Sequence, residues 1–287
     1  EANELLTQWS DASEATRAEV ADAYVIAKRA EEKSQPIKGM LDVALAAIAG
    51  VVKKEEILDP EGLQELAKTD RVLDFIEEVK PAHMPFLFPE VFVRENPGFD
   101  ALVGNPPWET LVPDERKFWA MKFPGLMGQR VDERNRLIDK YRNERPDVVS
   151  EMDDISKSMA SQRKILQRKF DLGAGHIDLS EAFAWSFFAL ARQGGRAGMV
   201  LPKTAFSSKG LQTWRRHILM NGCVESLVTA TNTGKWAFNI HGQFAIAFAV
   251  LAKGIEKKTK ISGPFHNKGD FLSGRDQCAE WENDVIL

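Results

Sequence analysis

Cysteine is nearly absent. Cys223 and Cys278 are the only two in 287 residues, and their spacing suggests no bridge. No disulfide framework is expected, and a reducing, cytoplasmic setting is. Histidine is almost as scarce: His83, His176, His217, His241 and His266 are scattered without metal-ligand spacing, so no metal site is predicted. No run of 18 uncharged apolar residues exists, and no membrane-spanning helix is expected. The opening Glu1-Ala2-Asn3 shows neither a signal peptide nor an initiator methionine, and the expectation is an excised piece of a longer protein.

What is present is enough apolar residue, 44 %, for a full core in a chain long enough for one large domain or one and a half. The formal charge of −4 is unevenly spread. Residues 1–80 hold 10 Lys and Arg against 18 Asp and Glu, whereas residues 81–287 hold 28 against 24. A face for phosphates must therefore lie in the second part.

The most informative stretch runs from Phe99 to Trp108. Ala101-Leu102-Val103 reads as a short buried strand of a parallel sheet. Asn105-Pro106-Pro107-Trp108 cannot continue it, because two successive prolines remove two ladder donors and fix φ twice. The chain leaves the sheet at Gly104 and holds Asn105 in a stiff loop at the strand's C-terminal end, where open α/β sheets bind ligands. An amide, a rigid proline carbonyl and a flat aromatic in a row suit a planar group bearing an amine. If the Asn105 oxygen and the Pro106 carbonyl each accept one N–H, the nitrogen lone pair is localised and aimed. Trp108 offers a stacking face.

Before this motif, residues 3–33 read as one long helix, Pro36 interrupts, and Gly39 to Lys54 forms a second. Asp59-Pro60-Glu61 starts a third helix reaching about Val79. Residues 1–80 are thus an acidic α-helical subdomain or insertion. Pro81 to Phe92 is dense in Pro and Phe, and is expected to be looped, with its rings beside the following strand. After Trp108, basic side chains recur at helical spacings from Arg130 through Lys169, giving a basic helical insertion at about 112–170. Its competing readings are an ordinary ion-paired surface and a phosphate-contacting face.

Asp171-Leu172-Gly173-Ala174-Gly175 imitates a cofactor-cradling glycine loop. A basic helix precedes it where a strand is required, and no acid follows about 20 residues on, so it is read as a linker turn. Leu179 to Arg192 is helical, stopped by Gly194-Gly195. Strands are predicted at Ala197–Pro202, Val224–Ala230 and Ala245–Leu251, with a helix through Trp214 between the first two. This order describes half of a doubly wound sheet ending in an antiparallel strand.

Asn-Pro-Pro-Trp, then the Asp178-Leu179 helix, then Gly194-Gly195-Arg196-Ala197-Gly198-Met199-Val200-Leu201-Pro202, in that order, resembles the catalytic half of adenine-N6 DNA methyltransferases. The nearest likeness is to the large restriction–modification and phage-defence methylases of the type IIG and PglX-like group, over residues 81–255. The resemblance implies a partial Rossmann-like methyltransferase sheet behind the helical subdomain, and S-adenosylmethionine as methyl donor. It also implies DNA as partner, possible further subunits of a defence system, and no membrane. It assigns Asn105, Pro106, Pro107 and Trp108 to catalysis, Phe238 to stacking on an extruded adenine, and Trp236 as second choice. Arg130, Arg134, Lys203 and Lys235 are candidates for DNA phosphates.

The family's glycine-rich cofactor loop precedes its Asn-Pro-Pro motif, and nothing in residues 1–98 supplies it. The main donor-binding loop is therefore expected outside this chain, and residues 256–287 are expected to be a linker toward an absent recognition domain. Enzymes that methylate RNA or a protein glutamine share Asn-Pro-Pro-aromatic motifs. They remain alternatives, as does a non-catalytic DNA-binding module that keeps the fold.

Overall fold

The computed structural model describes residues 4–282 apart from 6, 7, 10, 11, 13–15, 58, 171, 173–176, 240, 256 and 257. The glycine-loop imitation at Asp171 to Gly175 therefore lies, except for Leu172, outside the described residues.

The N-terminal helices differ from the expected breaks. Helix α1 spans Arg17–Ala49 without interruption, and Pro36 lies inside it. Thr16 caps it reciprocally with Glu19. A proline inside a helix costs about 3 kcal/mol. That cost is offset by tertiary packing, since Val43 and Ala46 of α1 are fully buried against Val72, Phe75 and Ile165. The expected third helix is two, α2 (Pro60–Ala67) and α3 (Asp70–Val79). Thr69 takes an extended backbone and its hydroxyl donates to the Leu66 carbonyl at 2.7 Å, which closes one helix and opens the next. The Pro/Phe-rich stretch forms two single turns, α4 (Met84–Leu87) and α5 (Pro89–Phe92), rather than a loop. A proline in each first turn costs no helical hydrogen bond. Phe88 and Phe92 do stand beside the following strand, each edge-on to Phe99 at 5.4 Å.

Six strands form one sheet: β1 (Phe99–Gly104), β2 (Ala191–Pro202), β3 (Gly222–Thr231), β4 (Ala245–Lys253), β5 (Thr259–Phe265) and β6 (Ala279–Trp281), in spatial order β1-β2-β4-β3-β5-β6. β1 runs parallel to β2, and β3 parallel to β5. β4 is antiparallel to both its neighbours, inserted between β2 and β3. The fold is mixed α/β, a Rossmann-like half-sheet with a reversed strand, preceded by the helical region.

Two sequence expectations about the sheet are corrected. β1 is an edge strand rather than a buried one, with Val103 87 % exposed. The described residues between 258 and 282 are structured rather than linker: β5 and β6 extend the sheet, and α11 (Lys268–Gly274) packs on β5. Thr259-Lys260-Ile261-Ser262 carries one large apolar residue, so no hydrophobic run marked it. Its strand character comes from pairing, with Thr259 and Ser262 buried.

Between β1 and β2 lie α6 (Glu115–Lys122), α7 (Val131–Glu144), α8 (Pro146–Phe170) and α9 (Leu179–Leu190); α10 (Gln212–Asn221) links β2 to β3. Helices α9 and α10 cover one face of the sheet. Phe188, Trp214 and Ile218 meet Ala197, Met199, Leu201, Ala247, Ala249 and Leu251, the alternate positions of β2 and β4. Burying each large side chain there stabilises the fold by about 2–3 kcal/mol. Gly194 and Gly195 do not stop a helix in a turn but lie within β2. Gly194 adopts φ +78° in a bulge where β2 advances from Ala191 to Arg196 while β1 advances only from Phe99 to Ala101.

Gly104 is required for packing. A Cβ there would come within 3.0 Å of the Phe187 ring on α9. Gly104→Val is expected to destabilise the protein by about 1–3 kcal/mol in urea unfolding. Gly128, where an added Cβ meets nothing within 4 Å, is the control: Gly128→Ala should change stability by no more than about 0.5 kcal/mol.

Candidate active site

Gly104 is the last residue of β1, and the polypeptide leaves the sheet with Asn105 exposed and Pro106 buried. Trp108 is half-buried and lies across the end of the neighbouring strand, its Nε1 donating to the Val200 carbonyl at 3.3 Å. The exit loop is then pinned by backbone pairing to the segment before α9. Leu111 N–H donates to the Ile177 carbonyl at 3.0 Å, and Leu179 N–H to the Glu109 carbonyl at 2.9 Å.

In front of this loop is a cavity of about 600 Å³ lined by Asn105, Pro106, Pro107, Trp108, Glu109, Lys117, Val200, Phe238 and Phe244. Among the described residues, no hydrogen bond engages the Asn105 amide. The cavity's walls are aromatic and aliphatic, with one amide, one carboxylate and one cation at its margins. That composition suits a flat, partly polar group.

The connection between β3 and β4 also lines this cavity. Phe238 lines the cavity and lies nearly parallel to Phe248 of β4, at 6.3 Å and 22°. Phe244, 46 % exposed, meets the Trp108 ring at 5.9 Å. Trp236 is not part of the lining. Its Nε1 donates to the Thr231 carbonyl at 2.7 Å and its ring rests on Phe271 of α11, which takes it away from the site. His241 is an exposed loop residue whose Nδ1 accepts from Gln243 N–H at 3.3 Å.

The basic candidates are dispersed. Lys203 is exposed just past β2, and Lys235 is exposed on the loop with φ +59°. Neither lines the cavity. Arg130 is exposed at the start of α7, whereas Arg134 is half-buried with its Nε lacking a partner; neither makes an ion pair among the described residues. Most other cations of the insertion are engaged. Lys122 meets Glu151 at 2.6 Å, Arg142 meets Glu115 and Asp139, and Arg145 meets Asp147 at 2.5 Å. The Arg145 guanidinium holds the Asp147 carboxyl down at about 2. Its interior is an aromatic cluster in which the Phe123 and Tyr141 rings stack at 3.8 Å.

Sequence reasoning missed Lys117, Glu109, Phe244 and Asn232. Lys117 sits on the first turn of α6, 3.8 Å from the Asp114 carboxylate, and reaches the cavity rim. Its signal was proximity, ten residues beyond the second proline, but it was submerged among many basic residues. Among the described residues no three His, Cys, Asp or Glu side chains gather so as to hold a metal, and no helix is long and apolar enough to cross a membrane.

No family model matches the sequence, and no curated protein matches it. Solved structures overlay on parts of it, three of them as follows. One is assigned as a class I S-adenosylmethionine-dependent methyltransferase from Listeria monocytogenes, with 15 % identity over 40 % of this chain and 37 % of that one, TM-score 0.30. A DrdV–DNA complex gives 10 % identity over 77 % of this chain and 19 % of that one, TM-score 0.38. The ATP-dependent type ISP restriction–modification enzyme LlaBIII bound to DNA gives 10 % identity over 81 % and 14 %, TM-score 0.36. The chain thus spans well under half of each. All three scores lie below 0.5, so the reading of the site rests on its own residues.

Behind the exit loop, Glu181 on the first turn of α9 is half-buried beside Asp178. Burial, with the neighbouring Asp178 carboxylate, pushes its carboxyl up from 4.5 to about 6. Burial raises Asp178 as well. The folded state therefore holds a proton at Glu181 that the unfolded chain has released, and stability falls as pH rises through the window between 4.5 and about 6. Glu181→Gln is expected to raise stability above pH 6 by about 1 kcal/mol after allowance for solvent screening. The gain should vanish below pH 4.5 in chemical unfolding followed across that range.

Proposed function

We propose that this chain carries the acceptor half of an adenine-N6 DNA methyltransferase of a restriction–modification or phage-defence system. The observation that carries the reading is one cavity lined both by Asn105, Pro106, Pro107 and Trp108 and by Phe238. These residues are 130 positions apart in sequence, and each has a part to play on an aromatic amine.

An exocyclic amine conjugated to a purine is a weak nucleophile because its lone pair is delocalised into the ring. The Asn105 oxygen accepts one N–H and the Pro106 carbonyl the other, which draws the nitrogen toward a tetrahedral shape and directs the lone pair outward. Pro106 suits this because its ring is buried and the following Pro107 confines its ψ, so its carbonyl does not reorient. The base is held between aromatic faces, with Phe238 as the stacking ring and Trp108 beside it. Within a duplex the amine is engaged in pairing and cannot be approached in line, so the nucleotide is extruded at a cost of roughly a few kcal/mol, offset by this stacking. Lys117 at the rim, with the exposed Arg130, Lys203 and Lys235, supplies charge for the flanking phosphates.

S-adenosylmethionine, when bound, supplies an electrophilic methyl group. Its adenosyl portion finds no cradle among the described residues: β1 is the sheet edge, and no described strand runs into a glycine-rich turn ahead of it. The described residues fit the acceptor, and we assign the donor's binding loop to polypeptide outside this chain. Titration calorimetry of residues 1–287 with S-adenosylmethionine is expected to show no micromolar binding.

The function itself is tested in the full-length protein by following N6-methyladenine, with RNA and protein acceptors in parallel. Asn105→Ala is expected to lower turnover on duplex DNA by about a hundredfold or more while DNA affinity stays within about twofold. Methyl transfer to RNA or to a protein amide instead of DNA would replace the substrate assignment. Unchanged turnover in Asn105→Ala would remove the amine-binding role altogether.

A further inference from the structure

The wall that bears Phe238 is a loop, and loops do not by themselves hold a ring in one place. Residues 232–244 leave β3 and return into β4, and they include positive φ at Gly234 (+70°) and Lys235 (+59°). Among the described residues, Phe248 is the one aromatic neighbour behind Phe238. Asn232, the first residue after β3, is fully buried, at 0 % exposure. A buried side-chain amide is costly unless its donor and acceptor are both used, and here both are used on the same target. Its Oδ1 accepts from Phe238 N–H at 3.1 Å and from Ala237 N–H at 3.2 Å, while its Nδ2 donates to the Phe238 carbonyl at 2.9 Å. Both peptide groups flanking the Phe238 Cα are thereby fixed by one side chain.

The Asn232 backbone ties the rest of the loop. Its N–H donates to the Phe244 carbonyl at 2.9 Å and its carbonyl accepts from Lys235 N–H at 2.8 Å. Phe238 and Phe244, the two aromatic members of this wall, are thus both hydrogen-bonded through their main chains to the same residue. An aliphatic residue of similar size would fill the space and would leave the Phe238 peptide groups free to rotate. An aspartate would keep the two acceptor bonds, lose the donated one and set a carboxylate against the Phe238 carbonyl.

We propose that Asn232 is the positioning residue of this site, a buried amide that locks the Phe238 backbone so that the ring stands as a preformed stacking surface. The proposal rests on the base-stacking reading of Phe238 given above. It places Asn232 outside contact with the base and makes its effect act through one ring.

The test uses a single-stranded oligothymidylate carrying one 2-aminopurine, since a single strand needs neither extrusion nor a recognition sequence. Stacking of the probe on Phe238 quenches its fluorescence. With the full-length protein, Phe238→Ala is expected to abolish the quenching and weaken probe binding by about tenfold. Asn232→Ala is expected to lose most of the same quenching although the ring is still present. The double variant Asn232→Ala/Phe238→Ala is expected to be no weaker than Phe238→Ala alone, which a general loss of structure would not produce. If Phe238→Ala leaves quenching intact, the stacking reading fails. If Phe238→Ala removes quenching while folded Asn232→Ala keeps it, or if the two losses add, the positioning role fails and the stacking reading stands. Should Asn232→Ala not fold, amide hydrogen exchange in the unaltered protein decides the matter. Protection of the Ala237 and Phe238 amides well above their loop neighbours supports the clamp, and exchange as fast as those neighbours overturns it.

Discussion

Two prolines in succession cannot stay in a strand, and the site follows from that constraint. Pro106 and Pro107 lack the N–H groups that a ladder beside β2 would use, so pairing ends with Gly104 opposite Met199. The break comes where β1 and β2 both reach their C-terminal ends, and it has to be abrupt because Phe187 of α9 lies directly beneath Gly104. Asn105 is consequently lifted clear of the packed layer, and its amide is left for something other than the fold. Trp108 closes the turn by hydrogen-bonding to the end of β2. The exit loop is thus rigid at both ends while its middle faces a cavity.

The second constraint is the reversal of β4. A chain that continued the parallel pattern would have returned through a helix on one face of the sheet, far from the C-terminal ends of β1 and β2. Instead β4 runs antiparallel between β2 and β3, so the connection from β3 turns back at the sheet's upper edge. That edge is the one at which Asn105 leaves β1. Val200 of β2 pairs with Phe248 of β4, and these two residues join the halves of the site: Val200 under Trp108, Phe248 under Phe238. Phe238 shares a cavity with Asn105 through topology rather than through sequence proximity.

Much of this was legible from residue types. Tandem prolines after an apolar run located the strand exit, and Asn105 to Trp108 and Phe238 line one cavity. Three strands after residue 190 were visible as runs of small and branched apolar residues because both faces are at least half covered. The misses have specific physical causes. Pro36 was read as a break, but a helix end is decided by packing as well as by the lost hydrogen bond, and α1 is held by Val72, Phe75 and Ile165 from other elements. β5 was invisible because its first four residues, Thr259 to Ser262, hold a single isoleucine and the rest is Gly263-Pro264-Phe265, which reads as a turn. Trp236 and Phe238 lie two residues apart with the same chemical character, and only the direction of the Trp236 indole toward Thr231 separates them. Asn232 had no sequence signal as a clamp, since asparagine at a strand end is an ordinary turn residue until its partners are known.

The inserted helices between the exit loop and α9 raise the question of how so large an excursion leaves the loop in place. The answer lies at its neck. Thr110 bridges Asp178, and hydrogen bonds join 109 to 179 and 111 to 177, so the insertion enters and leaves through a short antiparallel pair. Closing a longer connection costs only a fraction of a kilocalorie per doubling of length, and the stacked Trp119, Phe123 and Tyr141 rings give the insertion a core of its own. Shape at Asn105 is set by β1, α9 and the neck, whereas α6 delivers Lys117 to the rim from outside. Helix α7 can therefore vary in length and charge without disturbing the amide, provided the pairing at Thr110 and Asp178 is kept, but α8 is tied to α1 through Ile165 and to α9 through the Phe170–Trp185 stack.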